Sequence, residues 1–317
     1  MGGGITFGDE LTIEEELRAI LAADLPAQDD AVKLAVILYN RCYTASIFDL
    51  QAPTPLRSRF GSDPDDLMAI LAGANRSRAC WDEGWKIDQM LGDGRILARK
   101  GAVARAFLPG EYLTQLGVGS GPKAGVLVNI FIAPGSAELQ PGFYYAFGET
   151  VGEFQENEQT VRFFWNVTVE GAPRLTEAIT REFNRFQIPF RLKCASQLSE
   201  YPRRDAAVLY LHARYYPIAA LVVERVHAQV SPWLAAGTPL FAKRLTAGLA
   251  FAEDPGESFG ENRSKILAAA MVASHGKTIN ERIVEVRRQF EQRGLSFHQP
   301  WLNPGSVDRY VFPFPVA

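Results

Sequence analysis

The stretch VRFFWNVTVEGAPRLTEAITREFNRFQIPFRLKCASQLSEYPRRDAAVLYLH, residues 161–212, decides the fold class of this chain. Its first part, 161–167, is rich in aromatic and β-branched residues and predicts a strand, whereas 173–186 has apolar residues at helical spacing. Residues 188–194 and 205–211 are again apolar and predict two more strands. This mixture indicates an α+β domain, with a mostly antiparallel sheet flanked by helices.

Further elements are predicted on both sides of this stretch. Helical patterns follow at 216–230, 262–274 and 279–292, and short strands precede it at 85–91, 95–100, 103–107, 126–131 and 143–147. Nearer the N-terminus we expect three helices: one capped by Thr12, one at 31–43 and one capped by Ser62. The predicted organisation is an N-terminal helical segment at 1–78 and an α+β domain at 79–317, with one continuous domain as the alternative.

Composition limits the function classes. The chain has 317 residues, with 33 Lys and Arg against 36 Asp and Glu and a net charge of -3, which argues against nucleic acid or an anionic membrane as partner. Its three cysteines are widely spaced and match neither a disulfide framework nor a zinc site. With no signal-peptide or membrane-span pattern, we expect a cytoplasmic protein without metal or cofactor.

One predicted strand carries two basic residues on the same face. Residues alternate between the two faces of a strand, so Phe190, Leu192 and Cys194 would face the core while Arg191 and Lys193 share the other face. That face is either an ordinary solvated surface, the commoner case, or a cationic platform that binds an anion. On the platform, Arg191 would lower the pKa of Lys193, because a neighbouring like charge disfavours the ammonium form.

The next predicted strand begins beside an arginine pair. Arg203 and Arg204 precede Asp205, and the planar guanidinium group suits phosphate. Charge at a strand edge also keeps the edge from aggregating, so both interpretations stay open.

Two later segments supply further pocket candidates. In GESFGENR, residues 256–263, a glycine-flanked loop with Ser258 opens a helix whose first turn contains Arg263. Free backbone N–H groups at such a helix start bind anions, although a plain capped start is the commoner explanation. Asn303 and Arg309 lie in a polar turn near the C-terminus.

Five long stretches together resemble the HopA-type family, which includes type III secretion effectors of plant pathogens and proteins of peptide-modifying gene clusters. They are PGFYYAFGE (141–149), FFWNVTVEGAPRLTEAITREFNRFQIPFRLKC (163–194), YPRRDAAVLY (201–210), PLFAKRLTAGLAFAEDPGESFGENR (239–263) and WLNPGSVDRY (301–310). The resemblance extends over about residues 80–317 and is closer to the biosynthetic members than to the secreted effectors.

The resemblance to the biosynthetic members implies a phosphoserine/phosphothreonine lyase of thioamitide or class V lanthipeptide assembly. Its implied partners are a precursor peptide, with leader and core, and an aminoglycoside-phosphotransferase-like kinase that phosphorylates Ser or Thr of that peptide. The lyase would eliminate the phosphate and leave dehydroalanine or dehydrobutyrine. No nucleotide-binding motif occurs in this chain, which agrees with an ATP-using step on a separate protein.

The chemistry of phosphate elimination guides the choice of residues within the matching segments. Lys193 is the expected base for the α-proton. The expected acid is His212 or Tyr144, with Tyr145 as an alternative. The expected phosphate-binding residues are Arg191, Arg203, Arg204 and Arg263. The remaining pocket candidates are Asp205, Ser258, Asn303 and Arg309.

A non-catalytic function is the alternative prediction. An effector-like or scaffold subunit would only bind the peptide and its kinase, and such a subunit has little need for Lys193 beside Arg191 in a cleft. Independently of that alternative, exposed apolar surface on the helices at about 11–75 would suit a kinase or leader-peptide interface, or these helices would simply cover the sheet.

Overall fold

The computed structural model describes residues 8–27, 29–47, 64–101, 103–115, 121–150, 159–201 and 203–313. Its helices are α1 Gly8–Ala22, α2 Ala31–Leu38, α3 Pro64–Ala74, α4 Ala172–Arg185, α5 Tyr216–Val230, α6 Phe259–Ala273 and α7 Ile279–Glu291. Its strands are β1 Cys80–Met90, β2 Ile96–Lys100, β3 Val103–Phe107, β4 Tyr112–Thr114, β5 Leu127–Ile132, β6 Gly135–Ser136, β7 Phe143–Phe147, β8 Thr160–Trp165, β9 Arg191–Ala195, β10 Ala207–His212, β11 Lys243–Thr246 and β12 Leu249–Glu253.

The strands form two sheets in which the neighbouring strands run antiparallel. The smaller sheet has the order β3-β2-β1-β5-β4 and buries Trp85, Ile96 and Ile130 on one face. The larger sheet has the order β11-β12-β8-β10-β9-β7-β6. The α+β class with a mostly antiparallel sheet is therefore confirmed, and the division into two sheets is an addition to the prediction.

Helices cover both faces of the larger sheet. On one face, side chains such as Phe163 and Leu192 pack into a core with α3, α4 and α5. On the other face, Phe164 and Val208 pack with α1, α2, α6 and α7. Successive strand residues point to opposite faces, and the mostly apolar strand β8 therefore supplies Phe163 to one core and Phe164 to the other.

The N-terminal helices contribute to the second of these cores. Leu17, Leu34 and Leu38 are fully buried there, and α2 lies against α6. The helix α1 begins at Gly8, so Thr12 lies within the helix rather than at its cap, and Ser62 lies outside the described residues. After α2 the chain continues as a single π-helical turn, Tyr39–Tyr43, in which the Thr44 N–H bonds the Tyr39 carbonyl. No helix in the described ranges is long and apolar enough to cross a membrane.

Candidate functional site

Basic and aromatic side chains form two adjacent rows on the face of the larger sheet that also carries Phe164 and Val208. Residue pairing puts Arg162, Tyr210 and Arg191 side by side on β8, β10 and β9. In the next row, Lys193 of β9 lies beside Tyr145 of β7. Registered partners on one face contact each other, so these five residues form one surface, the basic platform.

The basic platform is the floor of a cavity of about 930 Å³. Tyr39 and Tyr43 of the π-helical turn form part of its wall, and the loop from Asp254 to Ser258 forms another part. Arg203 and Asp205 also line it. The cavity therefore lies between the sheet, the end of α2 and the beginning of α6.

Lys193 is a half-buried cation at the floor of this cavity. Its Nζ lies 3.7 Å from the centroid of the Phe143 ring. Burial lowers the pKa of Lys193 to about 8, with a further lowering by Arg203, Arg162 and Arg191 and an opposing effect from Asp205. The like-charge effect of Arg191 agrees with the prediction, but burial is the larger cause. A substantial fraction of Lys193 is consequently neutral near physiological pH.

Tyr210 lies between two guanidinium groups. The Cζ atoms of Arg191 and Arg162 lie 4.7 Å and 5.2 Å from the centroid of its ring. Burial raises the pKa of Tyr210 to about 12, although both arginines oppose this rise. The hydroxyl of Tyr210 is thus protonated and lies in a positive field.

Arg162 joins the platform to the loop before α6. Only 8% of its surface is exposed, and its Nη2 donates to Asp254 Oδ1 at 2.6 Å and to the Glu257 carbonyl at 2.7 Å. Its buried Nε has no hydrogen-bond partner within the described part of the chain. Arg162 therefore holds the cavity wall in place and adds a positive charge to the floor.

The ion pairs leave two cations of the platform without a carboxylate. Arg203 donates to both oxygens of Asp205, at 2.8 and 3.1 Å, and to Glu200 at 2.7 Å. Among the described residues, no Asp or Glu lies within ion-pair distance of Arg191 or Lys193. Arg191 and Lys193 are therefore the charges that remain to attract an anion.

Two of the predicted pocket candidates lie in the wall. Ser258 caps α6, and its Oγ accepts from the Glu261 N–H at 3.4 Å. Asn303 donates from Nδ2 to the Asp254 carbonyl at 2.8 Å, and its buried Oδ1 has no partner in the described ranges. Seven of the predicted residues therefore meet at one cavity: Tyr145, Arg191, Lys193, Arg203, Asp205, Ser258 and Asn303.

Other predicted residues lie elsewhere. Tyr144 follows the alternation of β7 onto the opposite face beside Cys194, where its hydroxyl accepts from Asn75 Nδ2 at 3.0 Å. Arg204 pairs with Glu16 at 3.0 Å outside the cavity. Arg263 is 1% exposed and donates to the carbonyls of Pro300 and Leu302, which ties α6 to the C-terminal turn.

His212 and Arg309 line a second cavity, of about 500 Å³. His212 is the last residue of β10 and is buried. Neither residue lines the cavity above the basic platform. His212 and Arg309 therefore lie in a different cavity from Lys193, the candidate base.

Two residues of the platform, Arg162 and Tyr210, are not among those predicted from the sequence. Each has a signal in strand alternation, because Arg162 shares a face with Phe164, and Tyr210 shares a face with Val208. A single arginine within the apolar run VRFFW is also unusual, since arginine is rarely buried without a partner. Within the described residues, no group of three His, Cys, Asp or Glu side chains is arranged to hold a metal ion.

Comparison with protein-family models identifies one family. A model described as the HopA1 effector protein family matches residues 135–302, more than half of the chain. Two solved structures are similar, and both are effector proteins of Pseudomonas syringae, from pathovar tomato strain DC3000 and pathovar syringae strain 61. They are 16% and 14% identical to this chain, with a TM-score of 0.52 in each case, and the matches cover 93% of this chain and 97% of theirs. This likeness shows the fold alone, and no curated protein matches the chain.

Proposed function

The chain belongs to the HopA1 effector protein family, and from this premise we propose that it is a phosphoserine/phosphothreonine lyase. It would eliminate phosphate from a kinase-phosphorylated precursor peptide and leave dehydroalanine or dehydrobutyrine, as the resemblance to the biosynthetic members implies. A single observation carries the proposal: Lys193, with its lowered pKa, lies on one strand with Arg191 in an open cavity, and neither has a carboxylate partner in the described chain.

The first chemical requirement is a base for the weakly acidic α-proton of the phosphorylated residue. A neutral lysine amine accepts a proton, and the half-buried position of Lys193 provides that form near physiological pH. The Nζ of Lys193 takes the proton from Cα, and the electron pair of the C–H bond forms the Cα=Cβ bond. The Cβ–O bond breaks, and phosphate leaves with its electron pair.

The second requirement is a site for the phosphate and for its developing charge. Arg191 is exposed, has no carboxylate partner in the described chain, and is positioned to donate to phosphate oxygens. Arg162 contributes positive charge from below while it stays bound to Asp254. Positive charges that are already in place stabilise the enolate and the leaving dianion without reorganisation.

The third requirement is a proton for the leaving oxygen. Tyr210 lies between the two arginines that flank the proposed phosphate position, and its hydroxyl is protonated. It is therefore our candidate for the acid, with Tyr145 as the neighbouring hydroxyl on the same platform. Proton transfer from Tyr210 to the bridging oxygen would release hydrogen phosphate.

The partner that we propose is a kinase of the aminoglycoside-phosphotransferase-like type, acting in the cytoplasm on the same peptide. The outward side of α2 carries Val32 and Val36, which are 77% and 57% exposed. Such apolar side chains are suited to a protein interface. A Val32→Glu, Val36→Glu variant is expected to lose co-purification with the kinase and to keep the wild-type unfolding curve.

Mass spectrometry of a synthetic phosphopeptide incubated with the purified protein tests the lyase. Elimination removes phosphoric acid from the peptide, and a thiol then adds to the new double bond. Phosphatase activity would instead restore the serine, and a scaffold would bind the peptide and leave its mass unchanged. Either of these two results would overturn the proposal.

A further inference from the structure

All three nitrogens of the Arg203 guanidinium donate to partners within the protein. Nε and Nη2 bind the two oxygens of Asp205 at 2.8 and 3.1 Å, and Nη1 binds Glu200 at 2.7 Å. Nη2 also donates to the Tyr39 hydroxyl at 3.0 Å, and only 15% of the Arg203 side chain is exposed. A phosphate would have to displace these carboxylates, which makes Arg203 a poor phosphate-binding residue.

The carboxylate that Arg203 holds lies close to Lys193. The Nζ of Lys193 and the Cζ of Arg203 lie 3.7 Å and 5.6 Å from the centroid of the same ring, that of Phe143. Asp205 is bound to that guanidinium and lines the same cavity as Lys193. The amine and the guanidinium are therefore two cations that compete for one carboxylate.

Asp205 and Arg203 have opposite effects on Lys193. Burial is the main cause of the lowered pKa of Lys193, and among the charged groups Asp205 has the largest effect and raises this pKa. Arg203 lowers the pKa, as do Arg162 and Arg191. A carboxylate in direct contact would favour the ammonium form of Lys193. Two parallel bonds to a guanidinium balance the charge of Asp205 instead.

The cavity contains other titratable groups that face Lys193. Burial raises the pKa of each of its tyrosines, which therefore stay uncharged: Tyr39, Tyr43, Tyr145 and Tyr210. Three more carboxylates of the described chain line the wall formed by the loop before α6 and the first turn of that helix: Asp254, Glu257 and Glu261. Asp254 is bound to Arg162 at 2.6 Å, and Glu257 is bound to Lys265 at 2.9 Å.

We propose that Arg203 is a positioning residue that holds Asp205 away from Lys193. By binding both carboxylate oxygens, Arg203 prevents an ion pair between Asp205 and Lys193, and the amine stays available as a base. The use of that amine in elimination rests on the proposed function. The competition between Arg203 and Lys193 for Asp205 does not, and it is measurable on the amine itself.

The experiment follows Lys193 by two independent measurements. NMR of protein with carbon-13-labelled lysine gives the midpoint of the Lys193 titration without substrate, and the loss of one signal in Lys193→Arg assigns it. The pH profile of kcat/KM for a phosphopeptide gives the midpoint through the reaction. The variants are Arg203→Gln, Asp205→Asn and the two together, in which a neutral hydrogen-bonding pair replaces the ion pair.

Arg203→Gln should raise the midpoint by about one pH unit, the lower end of the range for a close opposite charge, and so lower kcat/KM at pH 7 roughly tenfold. Asp205→Asn should lower the midpoint, because Arg203 then acts on Lys193 unopposed. The double variant should return the midpoint close to that of the wild type. Arg204→Ala removes an equal charge one residue away, from a pair with Glu16 outside the cavity, and should leave the midpoint unchanged.

An unchanged midpoint in Arg203→Gln would overturn the positioning role. A loss of phosphopeptide affinity at that unchanged midpoint would make Arg203 a phosphate-binding residue instead. If Arg203→Gln does not fold, Arg203→Lys replaces it: this variant keeps the charge without the two parallel bonds, and its midpoint should rise by a smaller amount. No rise in Arg203→Lys would equally overturn the role.

The two proposals fail in different ways. Midpoints that shift as expected by NMR, in a protein that does not eliminate phosphate, would overturn the lyase and leave the positioning of Asp205 intact. Elimination by the wild type with no NMR shift in the variants would do the reverse.

Discussion

Lys193 and Arg191 are two residues apart on one strand, yet their environments differ. Lys193 is half-buried beside Phe143, and Arg191 is exposed above Tyr210. Lys193→Ala should abolish elimination while the phosphopeptide still binds, and Lys193→Arg should be nearly as inactive because guanidinium stays protonated. Substantial turnover by Lys193→Ala, measured by mass spectrometry, would remove Lys193 from the mechanism.

The pH dependence of the reaction follows from the same residue. Ammonium predominates below the pKa of Lys193 and the neutral amine above it, so kcat/KM should rise with pH through about 8. A pH profile without a rising limb in this region would contradict the assignment of Lys193 as the base.

Arg191 and Arg204 are both predicted from the sequence to bind phosphate, but their surroundings in the structure differ. Arg191→Ala should weaken phosphopeptide binding by about tenfold, near the lower end for a charge-assisted contact, and leave unphosphorylated peptide unaffected. Arg204→Ala should leave affinity unchanged and lower the free energy of unfolding, because the ion pair between Arg204 and Glu16 is lost. Titration calorimetry and urea unfolding separate these effects, and the reverse result would place Arg204 at the site.

Tyr210 and Tyr144 provide a matched pair of tyrosines on opposite faces of the sheet. Tyr210→Phe should lower kcat by about a hundredfold or more, the range for loss of an acid or base, with little change in phosphopeptide binding. Tyr144→Phe should keep full activity. It should lower the free energy of unfolding by about 1 kcal/mol, because the hydrogen bond that Asn75 donates to the Tyr144 hydroxyl is lost. Equal activity of Tyr210→Phe and wild type would make Tyr145 the next candidate.

At the scale of elements, the start of α6 and the π-helical turn after α2 approach closely at Gly260. A Cβ atom there would overlap the ring of Tyr43, which is buried. Gly260→Ala should therefore destabilise the protein by about 1–3 kcal/mol through overpacking.

Gly73 in α3 is the control for this substitution, because a Cβ there meets nothing within 4 Å. Gly73→Ala should stabilise the protein by up to about 1 kcal/mol through helix propensity. Urea unfolding followed by circular dichroism measures both variants. Unchanged stability in Gly260→Ala would mean that the two elements are farther apart in solution.

For the whole molecule, the packing of the N-terminal helices determines whether they form a separate segment or part of one continuous domain. The guanidinium of Arg282 in α7 donates to the Leu21 carbonyl in α1, and α2 covers buried residues of α6 such as Ile266 and Met271. A protein that lacks residues 1–47 should lose its cooperative unfolding transition, because this apolar surface would be exposed. A truncated protein with the wild-type thermal midpoint would instead support a separate segment at 1–78.

The sequence by itself determined which side chains of a strand face the core and which face away from it. Period-two alternation predicts that Phe190, Leu192 and Cys194 face the core while Arg191 and Lys193 face away, and the structure agrees. The same local rule predicts most helices and the central strands, since each depends only on nearby residues.

Only the tertiary structure decided which of these faces meet. Strand pairing places Arg162 and Tyr210 beside Arg191. Arg263 instead donates to the carbonyls of Pro300 and Leu302 in the C-terminal turn. Such contacts join residues far apart in the chain, and their free energy comes from burial and hydrogen bonding in the assembled fold. Local periodicity contains no information about which distant residues pair or about the burial and hydrogen bonds that they gain.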